Sequence, residues 1–313
     1  MKVPDKLISF LENEEKYFIV THINPDGDAI GSSLALSMAL EMLGKKTFLY
    51  DKDPIPEFYH YLPSYEVFTN SISSLVTHNS SLILIDCNTP ERAGIEGLNF
   101  KFSAVIDHHD TEEVFGDIRW IVPEAAATGV MVFYLIKKLG INITREMAIN
   151  LYSAISIDTG TFRFGNTTAE TLRIAADLVE AGASPVSISN NLYETWSKER
   201  FALFSMALNT LEIRDGVAIT YITQEMYKKT GTGPEDTENF PSFTKIIRDV
   251  KVSAFFRELD NNSWKVSLRS KGDINVALIA SQMGGGGHKN AAGFVIKSEL
   301  VSAKETLLKA LQL

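Results

Sequence analysis

From Lys2 to about Asn190, short continuous apolar runs alternate with longer stretches of helical spacing. YFIVT (17–21), KTFLY (46–50), SLILID (81–86) and FSAVID (102–107) are apolar or β-branched and too short for helices, so each predicts a buried strand. AIGSSLALSMALEMLG (29–44) predicts a helix ended by Gly44, and further helical stretches fall around 124–140, 144–157 and 167–181. Apolar strands separated by helices predict a parallel sheet covered on both faces. The segment 197–213 keeps helical spacing and is expected to connect two domains.

The pattern changes after Arg214. GVAITYIT (216–223) predicts a strand, followed by a loop dense in glycine, proline and acid, GTGPEDTENFPS (231–242). KVSAFFREL (251–259) and SWKVSLRS (263–270) flank Asp260-Asn261-Asn262, a hairpin signal. INVALIASQM (274–283) predicts a helix, AAGFVI (291–296) a strand, and a last helix begins near Ser302. The expected architecture is α/β: an N-terminal parallel sheet flanked by helices over 1–190, a linker helix within 191–213, and a smaller C-terminal α+β domain over 214–313.

The 313 residues suffice for two domains, each with its own core. A net charge of -9 argues against sustained binding to long nucleic acid, which needs a broad basic surface, and leaves a small phosphorylated ligand held by local cations. The single cysteine, Cys87, permits no internal disulfide and favours a reducing, cytoplasmic setting. Its surroundings, SLILIDCN, mark it as a small apolar residue at a buried strand end rather than a reactive thiol. The N-terminus lacks the apolar core of a signal peptide, and no apolar run reaches membrane-spanning length, so no membrane partner is expected.

Against this background four polar clusters stand out. THINPDGDAIGS places His22, Asp26 and Asp28 after a predicted strand and before a predicted helix, at the carboxyl edge of the sheet where open α/β sheets bind ligands. Asn-Pro-Asp-Gly is also an ordinary turn signal; an imidazole and two carboxylates within seven positions tilt the balance toward metal ligands. Asp86 ends SLILID, where a helix cap is the plain alternative. Asp107, His108 and His109 end FSAVID, a set hard to explain as core filling. Asp158 ends a helical run, where the helix dipole opposes an acid unless a cation compensates. Oxygen and imidazole donors without cysteine suit Mn²⁺, Mg²⁺ or Fe²⁺ better than structural zinc. Asp26, Asp28, Asp86 and Asp158 carry four negative charges, which two divalent ions balance.

A last element, MGGGGHKNAAGF (283–294), lies between a predicted helix and strand. A flexible linker is rarely embedded there, whereas Gly285, Gly286 and Gly287 let backbone N–H groups approach an anion closely. His288 and Arg269 are expected to add charge-assisted hydrogen bonds to phosphate.

Taken in order, THINPDGDAIGS, LILIDCN, VIDHHDT, SISIDTGTF, VSLRSKGDIN and GGGGHKNAAGF resemble the motifs of DHH-superfamily phosphoesterases with a DHH-associated C-terminal domain, and in size the compact NrnA-like group of nano-RNases and pAp phosphatases. The resemblance spans Thr21 to Phe294. It implies that His22, Asp26, Asp28, Asp86, His108 and Asp158 ligate two Mn²⁺ ions, with Asp86 bridging. It also implies that His109 contacts the scissile phosphate or attacking water and that Asp107 orients the histidines. Arg269, the glycines and His288 would grip the substrate, with 197–213 as a hinge. The expected substrates are oligonucleotides of two to about four nucleotides, or 3′-phosphoadenosine 5′-phosphate. A homodimer is compatible with the sequence, and no long duplex is expected as a partner. Three enzyme alternatives differ in substrate: a cyclic-dinucleotide phosphodiesterase, a RecJ-like single-strand exonuclease, and a manganese pyrophosphatase, whose second domain lacks the GGGH motif. A non-catalytic RNA binder is disfavoured by the intact ligand set.

Overall fold

The computed structural model describes residues 1–72, 80–110, 114–260 and 262–311, which divide into units Met1–Thr195 and Trp196–Leu313. In the first unit the elements run α1 (Asp5–Asn13), β1 (Lys16–Val20), α2 (Gly27–Met42), β2 (Lys46–Tyr50), β3 (Phe68–Thr69), β4 (Ser81–Ile85), α3 (Pro90–Ala93), β5 (Ser103–Asp107) and β6 (Ile118–Ile121). Four helices follow: α4 (Thr128–Lys138), α5 (Arg145–Asp158), α6 (Ala169–Glu180) and α7 (Pro185–Tyr193). The strands form one parallel sheet in the order β3-β2-β1-β4-β5-β6.

Alternation within the apolar runs explains the two covered faces. Tyr17, Ile19, Ile83, Ile85, Ala104 and Ile106 join a core with helices α2, α4 and α5. Their neighbours Phe18, Val20, Leu82, Leu84 and Val105 face the other way, against Cys87, Ala93 and Ile95. Cys87 is accordingly buried, and burial pushes its thiol up to about 12. Helix α2 is buried along most of its length; Ile30, Leu34, Leu36 and Leu40 are each at most 1% exposed, and such side chains stabilise by roughly 1.5–3 kcal/mol apiece. Gly31 permits this, since a Cβ there would stand 2.4 Å from the Asn150 carbonyl oxygen of α5. Thr144 and Thr168 cap α5 and α6 by accepting the N–H groups of Met147 and Thr171.

The second unit contains α8 (Lys198–Leu208), β7 (Glu212–Arg214), β8 (Val217–Ile222), α9 (Gln224–Thr230), α10 (Phe240–Phe243), β9 (Val252–Asp260), β10 (Ser263–Ser270), α11 (Val276–Gln282), β11 (Gly286–His288), β12 (Ala291–Lys297) and α12 (Leu300–Leu311). Its sheet, β11-β12-β10-β9-β8-β7, is mixed: β8 and β9 are parallel, and the other pairs are antiparallel. Val276, Ala280, Ala303 and Leu307 cover one face, while Leu203 and Ala207 of α8 pack with Ile222, Tyr227, Phe240 and Phe255 in a separate cluster. The stretch around 197–213 thus carries an apolar face that is buried within this unit. β9 and β10 pair as their sequence predicts; Asn261, between them in the sequence, lies outside the described residues.

The glycine run is not simply a loop. Gly286–His288 form an edge strand on β12. A Cβ on Gly285 would lie 2.1 Å from the Gly293 carbonyl oxygen, and one on Gly287, whose φ is +142°, 2.5 Å from that of Ala291. Close backbone approach within the sheet therefore requires both glycines, whereas a Cβ on Gly286 would meet open space. The side chain of His288 lies outside what the structure describes.

Candidate metal centre

The strand order reverses between β1 and β4, where crossovers leave in opposite directions and the carboxyl ends frame a crevice. His22 follows β1, Asp86 follows β4, and Asp107 ends β5 with His108 and His109 just beyond. Asp26 is the N-cap of α2, its Oδ1 accepting the Asp28 and Ala29 N–H groups at 2.9 and 3.1 Å. Asp158 is the last residue of α5. The sequence thus brings all six expected ligands to one edge of the sheet.

Their atoms fall into three interlocking groups: His22 with Asp26 and Asp86; Asp28 with His108 and Asp158; Asp86 with His108 and His109. Asp86 lies between the histidines. Its Oδ2 is 3.6 Å from His22 Nε2, and its Oδ1 is 3.5 Å from His108 Nε2. His108 Nε2 also faces Asp158 Oδ2 at 3.1 Å and Asp28 Oδ2 at 3.8 Å. Asp86 takes this position through a left-handed backbone, φ +56°, while its N–H still bonds Ile106 at 3.0 Å. A non-glycine residue held there costs on the order of 1–3 kcal/mol.

Neighbouring groups fix the ligand atoms. His22 Nδ1 pairs with the Ile23 carbonyl at 3.0 Å, and His108 Nδ1 with that of Ala125 at 3.1 Å. Each carbonyl takes the Nδ1 proton, which makes Nε2 the donor atom for a metal. Asp28, fully buried, accepts Ser32 Oγ, Thr128 N and Gly129 N at 3.0, 2.6 and 2.8 Å, so it also closes the N-terminus of α4. Thr128 Oγ1 donates to Asp86 Oδ1 at 2.9 Å, and Asn166 Nδ2 ties the Ala126 carbonyl to that of Asp158. Neither Thr128 nor Asn166 carries a recognisable signal in the sequence. Asp107 holds His109 rather than His108: its Oδ1 accepts the His109 N–H at 3.1 Å and lies 2.8 Å from the ring Nδ1.

The electrostatics are those of a site built around positive charge. Burial and the charges of Asp86 and Asp158 raise Asp26 to about 6 and push Asp28 well above the carboxylate range. Burial likewise raises Asp158. For Asp86 burial acts upward too, but His22, His108 and His109 around it bring it down to about 2. Burial opposes imidazolium at His22 and His108, yet the adjoining carboxylates prevail and raise them to about 9 and about 10. Protons on the histidines here stand in for cations. Carboxylate oxygens and oriented Nε2 atoms at this spacing fit hard to borderline divalent ions.

Arg269 lies on β10, paired with Ala291 of β12 and Ser253 of β9; the glycines border the same strand pair. Among the described residues, no helix is long and apolar enough to cross a membrane.

Residues 16–155 match the DHH family, N-terminal domain, and residues 215–313 match the DHHA1 domain. The bifunctional oligoribonuclease and PAP phosphatase NrnA of Thermus thermophilus is 36% identical over 303 residues, 96% of this chain and 90% of that protein. The protein of the same name from Bacillus subtilis is 28% identical over 316 residues, covering 97% and 98%. The crystal structure of an exopolyphosphatase-related protein from Bacteroides fragilis has a TM-score of 0.93 at 28% identity, covering 98% of this chain and 95% of that one. By its matched domains and its near-full-length similarity to these relatives, the chain belongs to the DHH family, with a DHHA1 domain behind its N-terminal DHH domain.

Proposed function

We propose that the chain is a phosphoesterase that hydrolyses oligonucleotides of two to about four nucleotides, linear dinucleotides among them, and 3′-phosphoadenosine 5′-phosphate. The observation that carries this reading is Asp86, which belongs to two of the three metal-competent groups, one oxygen toward His22 and the other toward His108. The relative 36% identical over 96% of the chain, named for both activities, directs the substrate choice.

In this reading His22 and Asp26 hold one divalent ion, Asp28, His108 and Asp158 hold another, and Asp86 is shared. Mn²⁺ suits the mixed carboxylate and imidazole set best. When bound, such a pair supplies Lewis-acid polarisation of the phosphoryl group and an activated water. The chain's own residues do the rest. Asp107 fixes the His109 ring, which in this reading would contact the phosphoryl oxygens or the attacking water. Arg269 and the glycine run bind the remainder of the substrate in the second unit, although the Gly285 N–H itself donates to the Ala280 carbonyl at 2.8 Å and is not free for the substrate. Mn²⁺-dependent release of mononucleotide from pApA and of phosphate from pAp tests the proposal. Turnover confined to pyrophosphate or to cyclic dinucleotides would refute it.

A further inference from the structure

The surface of the second unit carries a cationic cluster that the reading above leaves mostly unused. Ser253, opposite Arg269 in the β9–β10 pair, donates its hydroxyl to the Pro241 carbonyl at 2.6 Å and bonds Thr244 Oγ1 at 2.6 Å. Residues 241–244 are thereby pinned over the strand pair beside Arg269. On the far side, Lys271 Nζ donates to the Ile247 carbonyl at 2.7 Å. Between these two staples a single 3₁₀ turn, Thr244–Ile246, presents Lys245.

Arg269, Lys245 and Lys271 are thus neighbours, and among the described residues no carboxylate pairs with any of them. Elsewhere in the unit Arg214, Lys229, Lys289 and Lys304 each meet an acidic side chain. The part-buried Arg269 guanidinium hydrogen-bonds the Leu268 carbonyl instead. Burial depresses Arg269 with no opposing charge, and burial, then Arg269 and Lys271, depress Lys245. A desolvated cation group without a counter-ion is costly, and an incoming anion removes that cost. Phe243 and Ile246 on the same segment are 37% and 82% exposed, offering apolar surface to a base. A planar fork, a flexible ammonium and adjacent apolar surface match a nucleoside phosphate better than a peptide carboxylate.

We infer that Lys245 joins Arg269 in holding a terminal phosphate monoester of the nucleotide substrate. The inference rests on the substrate class proposed above, so its test includes a readout independent of hydrolysis. AMP is titrated by calorimetry into the full chain kept metal-free with chelator, using wild type, Lys245→Ala and Lys245→Arg. AMP should bind wild type and Lys245→Arg, and Lys245→Ala should weaken it about tenfold or more, the scale of one charged hydrogen bond. With Mn²⁺ present, Lys245→Ala should raise KM more for pApA than for ApA. Equal AMP affinity in wild type and Lys245→Ala, no AMP binding by wild type, or an equal KM rise on both dinucleotides overturns the inference. Failure of wild type to hydrolyse pApA and pAp while AMP still binds through Lys245 would instead remove the proposed activity.

Discussion

Asp107 grips His109 twice with one oxygen, at the backbone N–H and at ring Nδ1, while its buried Oδ2 finds no partner among the described residues. Two contacts from one carboxylate fix both the ring plane and the tautomer. His109→Ala should leave metal content intact and lower kcat by about 10²–10³-fold, typical for loss of a transition-state contact. Asp107→Ala should do much of the same damage, and the double variant should be little worse than His109→Ala, because the carboxylate acts through the ring. Steady-state kinetics with metal analysis checks this; independent, multiplying losses would separate the two residues.

Asp86 and His108 divide differently. Asp86 belongs to two of the three groups and links His22 to His108, so Asp86→Ala should abolish turnover and strip most of the bound metal. His108→Ala should weaken metal binding, unlike His109→Ala. Chelator should silence the enzyme, and Mn²⁺ should restore it better than Ca²⁺, whose longer and looser coordination suits this compact set less. Wild-type turnover by Asp86→Ala would disprove the shared-ligand assignment.

Metal binding should release protons, and affinity should rise with pH. His22 at about 9 and His108 at about 10 are protonated at neutral pH in the metal-free chain, and Asp26 at about 6 is partly so. Each must lose its proton to ligate. All three are raised above their ordinary values, so the stability they contribute is present at low pH and is lost as pH rises through those values. Asp86, lowered to about 2, has the opposite sign, but it titrates below this range. Between pH 6 and 9 the metal-free protein should therefore lose Tm while the metal-loaded protein loses less. Calorimetry in buffers of different ionisation enthalpy measures the protons directly; zero release at pH 7 contradicts the account.

The parallel sheet was legible because both faces of its central strands are covered, which turns SLILI into an unbroken buried run, whereas KTFLY, nearer the edge, is buried only at Leu49 and Tyr50. Ile118–Ile121 escaped notice because an edge strand of four residues alternates, with Arg119 facing solvent. α1 was missed as well, a single short amphipathic segment at the chain's start. The ligands were legible because acids and histidines at strand ends have few structural reasons to be there. Thr128 and Asn166 were not, since a hydroxyl and an amide acquire their roles only when α4 and the end of α5 meet in space. Lys245 was hidden for the same reason: the bonds of Ser253 and Lys271 to its segment bring it beside Arg269 only in the folded chain.

The glycine run separates folding from binding residue by residue. Gly287→Ala should cost stability, because its Cβ would meet the Ala291 carbonyl at 2.5 Å from a backbone at φ +142°. Gly286→Ala meets nothing within 4 Å, so Tm should hold. If the N–H groups there approach phosphate, Gly286→Ala should still raise KM. A Tm loss as large as that of Gly287→Ala would place Gly286 with the fold alone.

Substrate length should be limited by the second unit. Among its cationic side chains, Arg269, Lys245 and Lys271 form one compact spot. A nucleotide added beyond this spot should gain few further phosphate contacts. Sustained binding of longer strands needs an extended basic groove with stacking aromatics. Activity should peak at about two to four nucleotides and fall steeply beyond. Arg269→Ala should raise KM on short substrates while the metal site keeps its ions, since Arg269 lies in the C-terminal unit and the ligand set in the N-terminal one. The test is a series of 5′-labelled RNAs of increasing length at fixed salt, with wild type and Arg269→Ala compared. Processive digestion of a long strand by wild type, as fast as the dinucleotide, would overturn this limit.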